Sequence, residues 1–192
     1  MDEEALKPLL GIPMLSQKLF DARTIVICGE INSNVAHDVL AQALALAAAS
    51  DDDITVYVHS NGGHVESGDT IHDVLRFVKP RIRMIGTGWV ASAGTHIYLA
   101  AEREDRYCLP NTRFLIHQPL GGAGGRATDI EIEAAEIIKM RSRINRIIAE
   151  KTGQPLRKVE RDTERNYWLT AEEAKEYGIV GKIISSAAEL KR

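Results

Sequence analysis

Cysteine is scarce in this 192-residue chain: Cys28 and Cys108 are the whole supply, and they share no C-x-x-C spacing. Each sits in a strand-like apolar context. That excludes a disulfide-stapled scaffold and predicts two buried free thiols in a reducing compartment, the cytoplasm. Long apolar runs are missing too. None approaches the ~20 residues needed to span a bilayer, so no membrane partner is expected. The opening Met1-Asp2-Glu3-Glu4 lacks the basic region of a secretory signal. The formal charge is only −3, with no Lys/Arg stripe, which argues against a nucleic-acid partner. His37, His59, His64, His72 and His96 show no metal-ligand spacing and read as solvated or locally bonded side chains. The glycines form neither G-K-[ST] nor G-x-G-x-x-G, so no phosphate loop is present.

What is present is an alternation. With 44% hydrophobic and 27% charged residues, the composition suits one globular domain with a substantial core. Residues 1–16 are aperiodic and read as an arm. Strands are predicted at 23–28, 54–59, 82–86, 113–116 and 179–184 from their β-branched content. Between them, Asn34 caps a helix through Leu44 and Ala47, and Ile71, Val74, Leu75 and Val78 mark a second helix before Pro80. Ser60-Asn61-Gly62-Gly63 reads as a turn. A short apolar helix follows Ser92. Thr128-Asp129-Ile130-Glu131 reads as a capping box opening the longest helix, which Gly153 and Pro155 stop. Thr170 and Glu173 cap a last helix that ends at Gly178. Strand–helix alternation of this kind implies an α/β domain.

Two of these boundaries carry chemistry. Ser92 lies between a small-residue turn and a helix start, where N–H donors favour a developing oxyanion and a base could activate the hydroxyl. Standing alone, it equally suits a structural cap. His117 ends a strand beside Pro119 and Gly121-Gly122, a placement suited to a general base, or to a histidine satisfied by local backbone. The Gly-rich stretch 121–125 reads either as a plain flexible loop or as an edge that pairs with an extended peptide.

Six stretches together are more specific: Ser60-Asn61-Gly62-Gly63, Val90-Ala91-Ser92-Ala93-Gly94, Cys108-Leu109-Pro110-Asn111, Ile116 through Gly122, Ala127 through Glu131, and Ala171 through Gly178. They resemble the proteolytic subunit of the ATP-dependent Clp protease, over roughly residues 19–184. The resemblance implies a crotonase/ClpP-like α/β fold of repeated ββα units spanning 17–192, with a protruding handle at about 118–153. It implies two stacked heptameric rings, homomeric or mixed with a paralogue, an AAA+ unfoldase partner, and unfolded polypeptide as substrate. No cofactor is expected in this subunit, ATP being used by the partner ATPase. Position by position, Ser92 matches the nucleophile and His117 the general base. Gly63 and Ala93 match the oxyanion-hole residues. Gly63, Val65, Leu120 and Gly122 match the strand-like grip on substrate. Tyr57, Phe77, Tyr107 and Leu109 match the apolar cleft for the ATPase, with Thr55 a polar intruder.

The chain departs from the pattern at the third triad position, where Asn166 stands in place of aspartate. A neutral Asn can orient His117 but cannot stabilise an imidazolium by charge, so weakened activity is expected. Asp162 and Glu164 are the nearby carboxylates that could substitute. Arg126 takes the place of an uncharged residue near the ring–ring contact of Arg165, with Asp129 and Glu164 as its candidate counter-charges. Two functions are therefore open: an attenuated serine endopeptidase, or a structural or regulatory ring subunit paired with an active paralogue. A crotonase-type acyl-CoA enzyme would leave the Ser/His pairing unexplained.

Overall fold

The computed structural model describes residues 13–122 and 124–190. Its elements in chain order are α1 (Pro13–Asp21), β1 (Thr24–Ile31), α2 (Ser33–Ala49), β2 (Ile54–Gly63), α3 (Val65–Phe77), β3 (Ile82–Ala91), α4 (Ala93–Tyr98), β4 (Arg106–Cys108), β5 (Arg113–Ile116), α5 (Ala127–Thr152), α6 (Leu156–Asp162), β6 (Tyr167–Thr170), α7 (Ala171–Tyr177) and β7 (Lys182–Ile183). Seven strands form one sheet in the order β1-β2-β3-β4-β7, with β5 added to β3 and β6 added to β5. Every pairing is parallel except β5–β6. The strands bury an apolar set, among them Ile25, Ile27, Val56, Val58 and Met84, against Ile71, Leu75, Ile97 and Ile148 of the helices.

β3 does two jobs. Its first half, Met84–Gly86, pairs with β4, and its second half, Trp89–Ala91, pairs with β5. A ten-residue strand is thus shared between two neighbours, and its carboxyl end is delivered to a different part of the sheet from its start.

Several local expectations shift in the structure. Helix α1 begins at Pro13, inside the segment expected to be an aperiodic arm, because proline suits a first helical turn; residues 1–12 lie outside the described residues. The cap of α2 is Asn32 rather than Asn34. Asn32 is extended, and its side chain accepts from the N–H groups of Asn34 and Val35 at 3.0 Å each. Residues 60–63 continue β2 instead of turning, since Gly62 and Gly63 pair with Glu30 and Ile31 after a register shift. The long helix α5 starts at Ala127 from an Arg126 cap that makes no side-chain bond. Thr128 therefore lies within the first turn, and the predicted box there does not form. The Thr170–Glu173 box is present in both directions.

The predicted last strand shrinks to Lys182–Ile183, because Ile179 and Val180 both donate back to Ala174 and prolong the helix cap. Strands β4 and β6 and helix α6, too short for a periodic signal, were not anticipated. Cys28 is exposed on the edge strand β1, contrary to expectation, whereas Cys108 is buried and burial pushes its thiol up to about 12. Both are free thiols.

Arg23 locks the first β–α–β unit. Its guanidinium donates to the carbonyl oxygens of Leu46 (3.0 Å), Ser50 (3.1 Å) and Asp52 (2.7 Å), closing the carboxyl end of α2 over the start of β2. Charge-assisted bonds to backbone carbonyls are among the stronger polar contacts. Arg23→Ala is expected to lower the unfolding free energy by about 2 kcal/mol in urea titration, and Arg23→Lys to recover little of it, because an ammonium cannot span three acceptors.

Candidate active site

Register explains how three residues far apart in sequence come together. Ala91 pairs with Leu115 in the parallel β3–β5 ladder, so Ser92 and His117 both emerge just beyond adjacent strand ends. Ile116 pairs with Tyr167 in the antiparallel β5–β6 ladder, which places Asn166 beside His117. The side chains meet accordingly. His117 Nε2 lies 2.7 Å from Ser92 Oγ, and His117 Nδ1 lies 3.0 Å from Asn166 Oδ1. With an acceptor oxygen facing Nδ1, the ring carries its proton there and leaves the Nε2 lone pair for the serine hydroxyl. Neither alternative carboxylate takes this place. Asp162 is bonded to Lys158 and Tyr177, and Glu164 is paired with Arg141.

Ser92 itself is strained. Its φ of 55° and ψ of −119° lie in a region that non-glycine residues avoid. The conformation is held from several sides. Ser92 N donates to Leu115 O at 2.9 Å, and the Thr95 hydroxyl sits 2.7 Å from Val90 O and 2.9 Å from Leu115 O. Gly62 presses against the same residue, so closely that a Cβ there would fall 2.6 Å from Ser92 Cβ. Buried Ser60 fixes that approach by donating to Gly29 O and accepting from Gly62 N.

The backbone around the hydroxyl is polar and uncrowded by side chains. Ala93 opens α4, where an N–H has no acceptor one turn back. Gly63, with φ +149°, lies so close to Ile31 that no Cβ would fit. Val65 opens α3 and reaches the pocket, whereas Leu120 is 86% exposed and Gly122 faces open space. Residues 117–122 form no strand in the isolated chain. Arg126 and Asp129 are exposed at the start of α5, and Arg165 is exposed beside the site.

A narrow pocket opens beside Ser92 and His117. Its walls are Val65, Ile116, Ile144 and Ile148, with His96 closing one side. Sequence reasoning passed over these residues as pocket walls, although Ile144 and Ile148 stand one helical turn apart and His96 follows Ser92 by a turn. Of the solvated or locally bonded roles expected of the histidines, His72 and His96 do not take the solvated one. They are buried, with rings stacked at 4.3 Å and 7° apart. His72 Nδ1 is 2.8 Å from His96 O. On the opposite side of the sheet end, the indoles of Trp89 and Trp168 stack at 6.3 Å, and the Arg113 guanidinium lies 4.5 Å over Trp168. No three His, Cys, Asp or Glu side chains gather as a metal site among the described residues.

Burial, followed by the nearby charges of His96, Arg76 and Lys151, lowers the pKa of His72 to about 4 from the ordinary 6.5. The unfolded chain therefore binds a proton between those values while the folded one does not. Stability is full above pH 6.5 and falls as pH drops toward 4, by about 3 kcal/mol at most from this residue. Thermal melts between pH 7 and pH 4.5 should show this slope, and His72→Phe should flatten it.

The comparisons with known proteins agree with one another. The sequence profile described as Clp protease matches residues 13–187. The chain is 63% identical over 172 residues to the ATP-dependent Clp protease proteolytic subunit 3 of Rhizobium etli, covering 90% of this chain and 89% of that protein. Against the subunit of the same name from Rhizobium meliloti it is 62% identical over 190 residues, covering 98% and 97%. Among solved structures, ClpP1 from Listeria monocytogenes superposes with a TM-score of 0.84, and an Asn→Asp mutant of that protein with 0.87. Each is 56% identical, with coverage of 92% of this chain and 99% of that one. A matching profile over nearly the whole length, relatives above 60% identity and one shared fold mean that this chain belongs to the Clp protease family, as a proteolytic subunit with the ClpP fold.

Proposed function

We propose that the chain is a serine endopeptidase whose nucleophile is Ser92, attenuated by Asn166. The observation that carries this is the continuous hydrogen-bonded path from Ser92 Oγ through the His117 ring to Asn166 Oδ1. Ser92 Oγ attacks the scissile carbonyl carbon while its proton passes to His117 Nε2. The tetrahedral oxyanion is received by the N–H groups of Gly63 and Ala93. Collapse breaks the C–N bond as His117 returns the proton to the leaving amine. Water, deprotonated by the same imidazole, then releases the acyl group from Ser92. The apolar pocket takes the side chain preceding the scissile bond. Val65, Leu120 and Gly122 grip the extended substrate through backbone bonds.

Asn166 supplies the correct tautomer without the charge. Each time His117 takes a proton, the imidazolium forms with no carboxylate beside it, so the acylation and deacylation transition states both lose electrostatic support. In the serine-protease template the corresponding loss approaches ~10⁴-fold in kcat, largely through the wrong tautomer. Here the amide oxygen already faces Nδ1, so the deficit is smaller.

The assembly proposed is a double heptameric ring in the cytoplasm, fed unfolded polypeptide by an AAA+ ATPase. The surface suits partners. Phe77 is 82% exposed, and Ile130, Ile132 and Ile138 leave α5 with apolar positions uncovered. Within one chain Glu164 is committed to Arg141, so it does not neutralise Arg126 or Arg165. A second reading, a scaffold subunit for an active paralogue, is favoured by Asn166 itself and fits relatives numbered 2 and 3.

Hydrolysis of a small fluorogenic peptide by the purified assembly, with Ser92→Ala as the blank, separates the two. Asn166→Asp is expected to raise kcat roughly 10²-fold with little change in KM. An unchanged or lower rate would count against the role given to Asn166. Failure of a fluorophosphonate to label Ser92 in a well-formed ring would support the scaffold reading.

A further inference from the structure

The pocket beside Ser92 has walls from three helices, with Val65 opening α3. Ile144 and Ile148 belong to α5, while His96 belongs to α4, the helix that begins at the serine. A single carboxylate on α3 ties these walls together. Asp69 of α3 receives Arg143 in a two-point fork, with Nη1–Oδ1 at 2.6 Å and Nη2–Oδ2 at 2.7 Å. Arg143 immediately precedes Ile144. The same Asp69 Oδ1 lies 2.9 Å from His96 Nε2, a contact off the axis of an aligned hydrogen bond. The stacked ring of His72 holds His96 from its other face.

Burial alone would push the Asp69 carboxyl up, but His96 and the bonded Arg143 outweigh it and hold the carboxyl far below the usual range. Asp69 in turn raises Arg143. The fork is therefore charged on both sides at neutral pH. Apolar walls set no separation of their own beyond close packing, whereas a partly buried bidentate ion pair has one preferred geometry.

We propose that Asp69 is a positioning residue that fixes the width of the pocket for the side chain preceding the scissile bond, and so excludes bulky side chains there. This rests on the serine-peptidase reading above. With the fork intact, Ile144 and Ile148 are drawn toward His96, and small or medium aliphatic side chains fit. Without it, α5 keeps its bonds to Glu164 and Thr163 but loses its tie to α3 beside the pocket, so the gap widens and aromatic side chains enter. Asp69 touches no reacting atom, so its loss alters which substrate binds rather than how fast a bound one reacts.

The test compares two fluorogenic peptides that differ only in Ala or Phe at this position, assayed in the Asn166→Asp background with Ser92→Ala as the blank. The ratio of kcat/KM, Phe over Ala, should rise about tenfold in Asp69→Asn and in Arg143→Gln, carried by KM rather than kcat. Asp69→Glu, which keeps the charge, should retain most of the original preference. Should Asp69→Asn fail to assemble, Arg143→Gln carries the test, because its side chain is partly exposed and its removal leaves the core filled. Ser92-dependent hydrolysis with an unchanged ratio, or with both peptides reduced equally, overturns the inference and leaves the peptidase reading standing. Hydrolysis that is absent, or that survives Ser92→Ala, overturns both.

Discussion

The parallel ladder between the carboxyl half of β3 and β5 is the constraint on which the site depends. It lines up Ala91 with Leu115, and from that one register the serine and the histidine are delivered to neighbouring strand ends. The antiparallel β6 then sets its first residue, Tyr167, against Ile116, so that Asn166 arrives on the far side of the imidazole. A slip of one residue in either ladder would turn the side chains to the opposite face and dissolve the arrangement. The tight φ of Ser92 is affordable because it is anchored to β5 through Leu115, not held by the turn alone.

Neighbouring helices complete what the ladders begin. α4 starts at Ala93 and presents an unpaired N–H, while α3 and α5 bring up the walls of the pocket. Substrate selection and bond cleavage thus draw on different layers of the fold. The sheet edge holds the reacting groups, and the helical layer, joined through Asp69 and its partners, shapes what can approach them.

Much of this was legible in the residues. The β-branched runs announced the long strands, while Ser92 stood out at a helix start among small residues and His117 at a strand end beside proline and glycine. The third member was readable only by resemblance, since nothing local about Asn166 distinguishes it from a loop asparagine. Short elements escaped for a different reason: β4 and β6 have three and four residues, too few to display a period, and tertiary pairing alone defines them. The capping box expected at Thr128 failed because Arg126 already caps the helix, leaving Thr128 within its first turn. The histidine pair and its aspartate were invisible because their meaning lies in how α3 packs against α4 and α5, which no local pattern displays.

The stacked indoles carry a practical consequence. The chain has two tryptophans, Trp89 and Trp168, and they lie against each other at the sheet edge that supports the site. Trp89 pairs with Arg113 and Trp168 with Leu115, so the chromophores ride on the strands that deliver the serine and the asparagine. Tryptophan emission from this protein is consequently a local gauge of disturbance at that one margin.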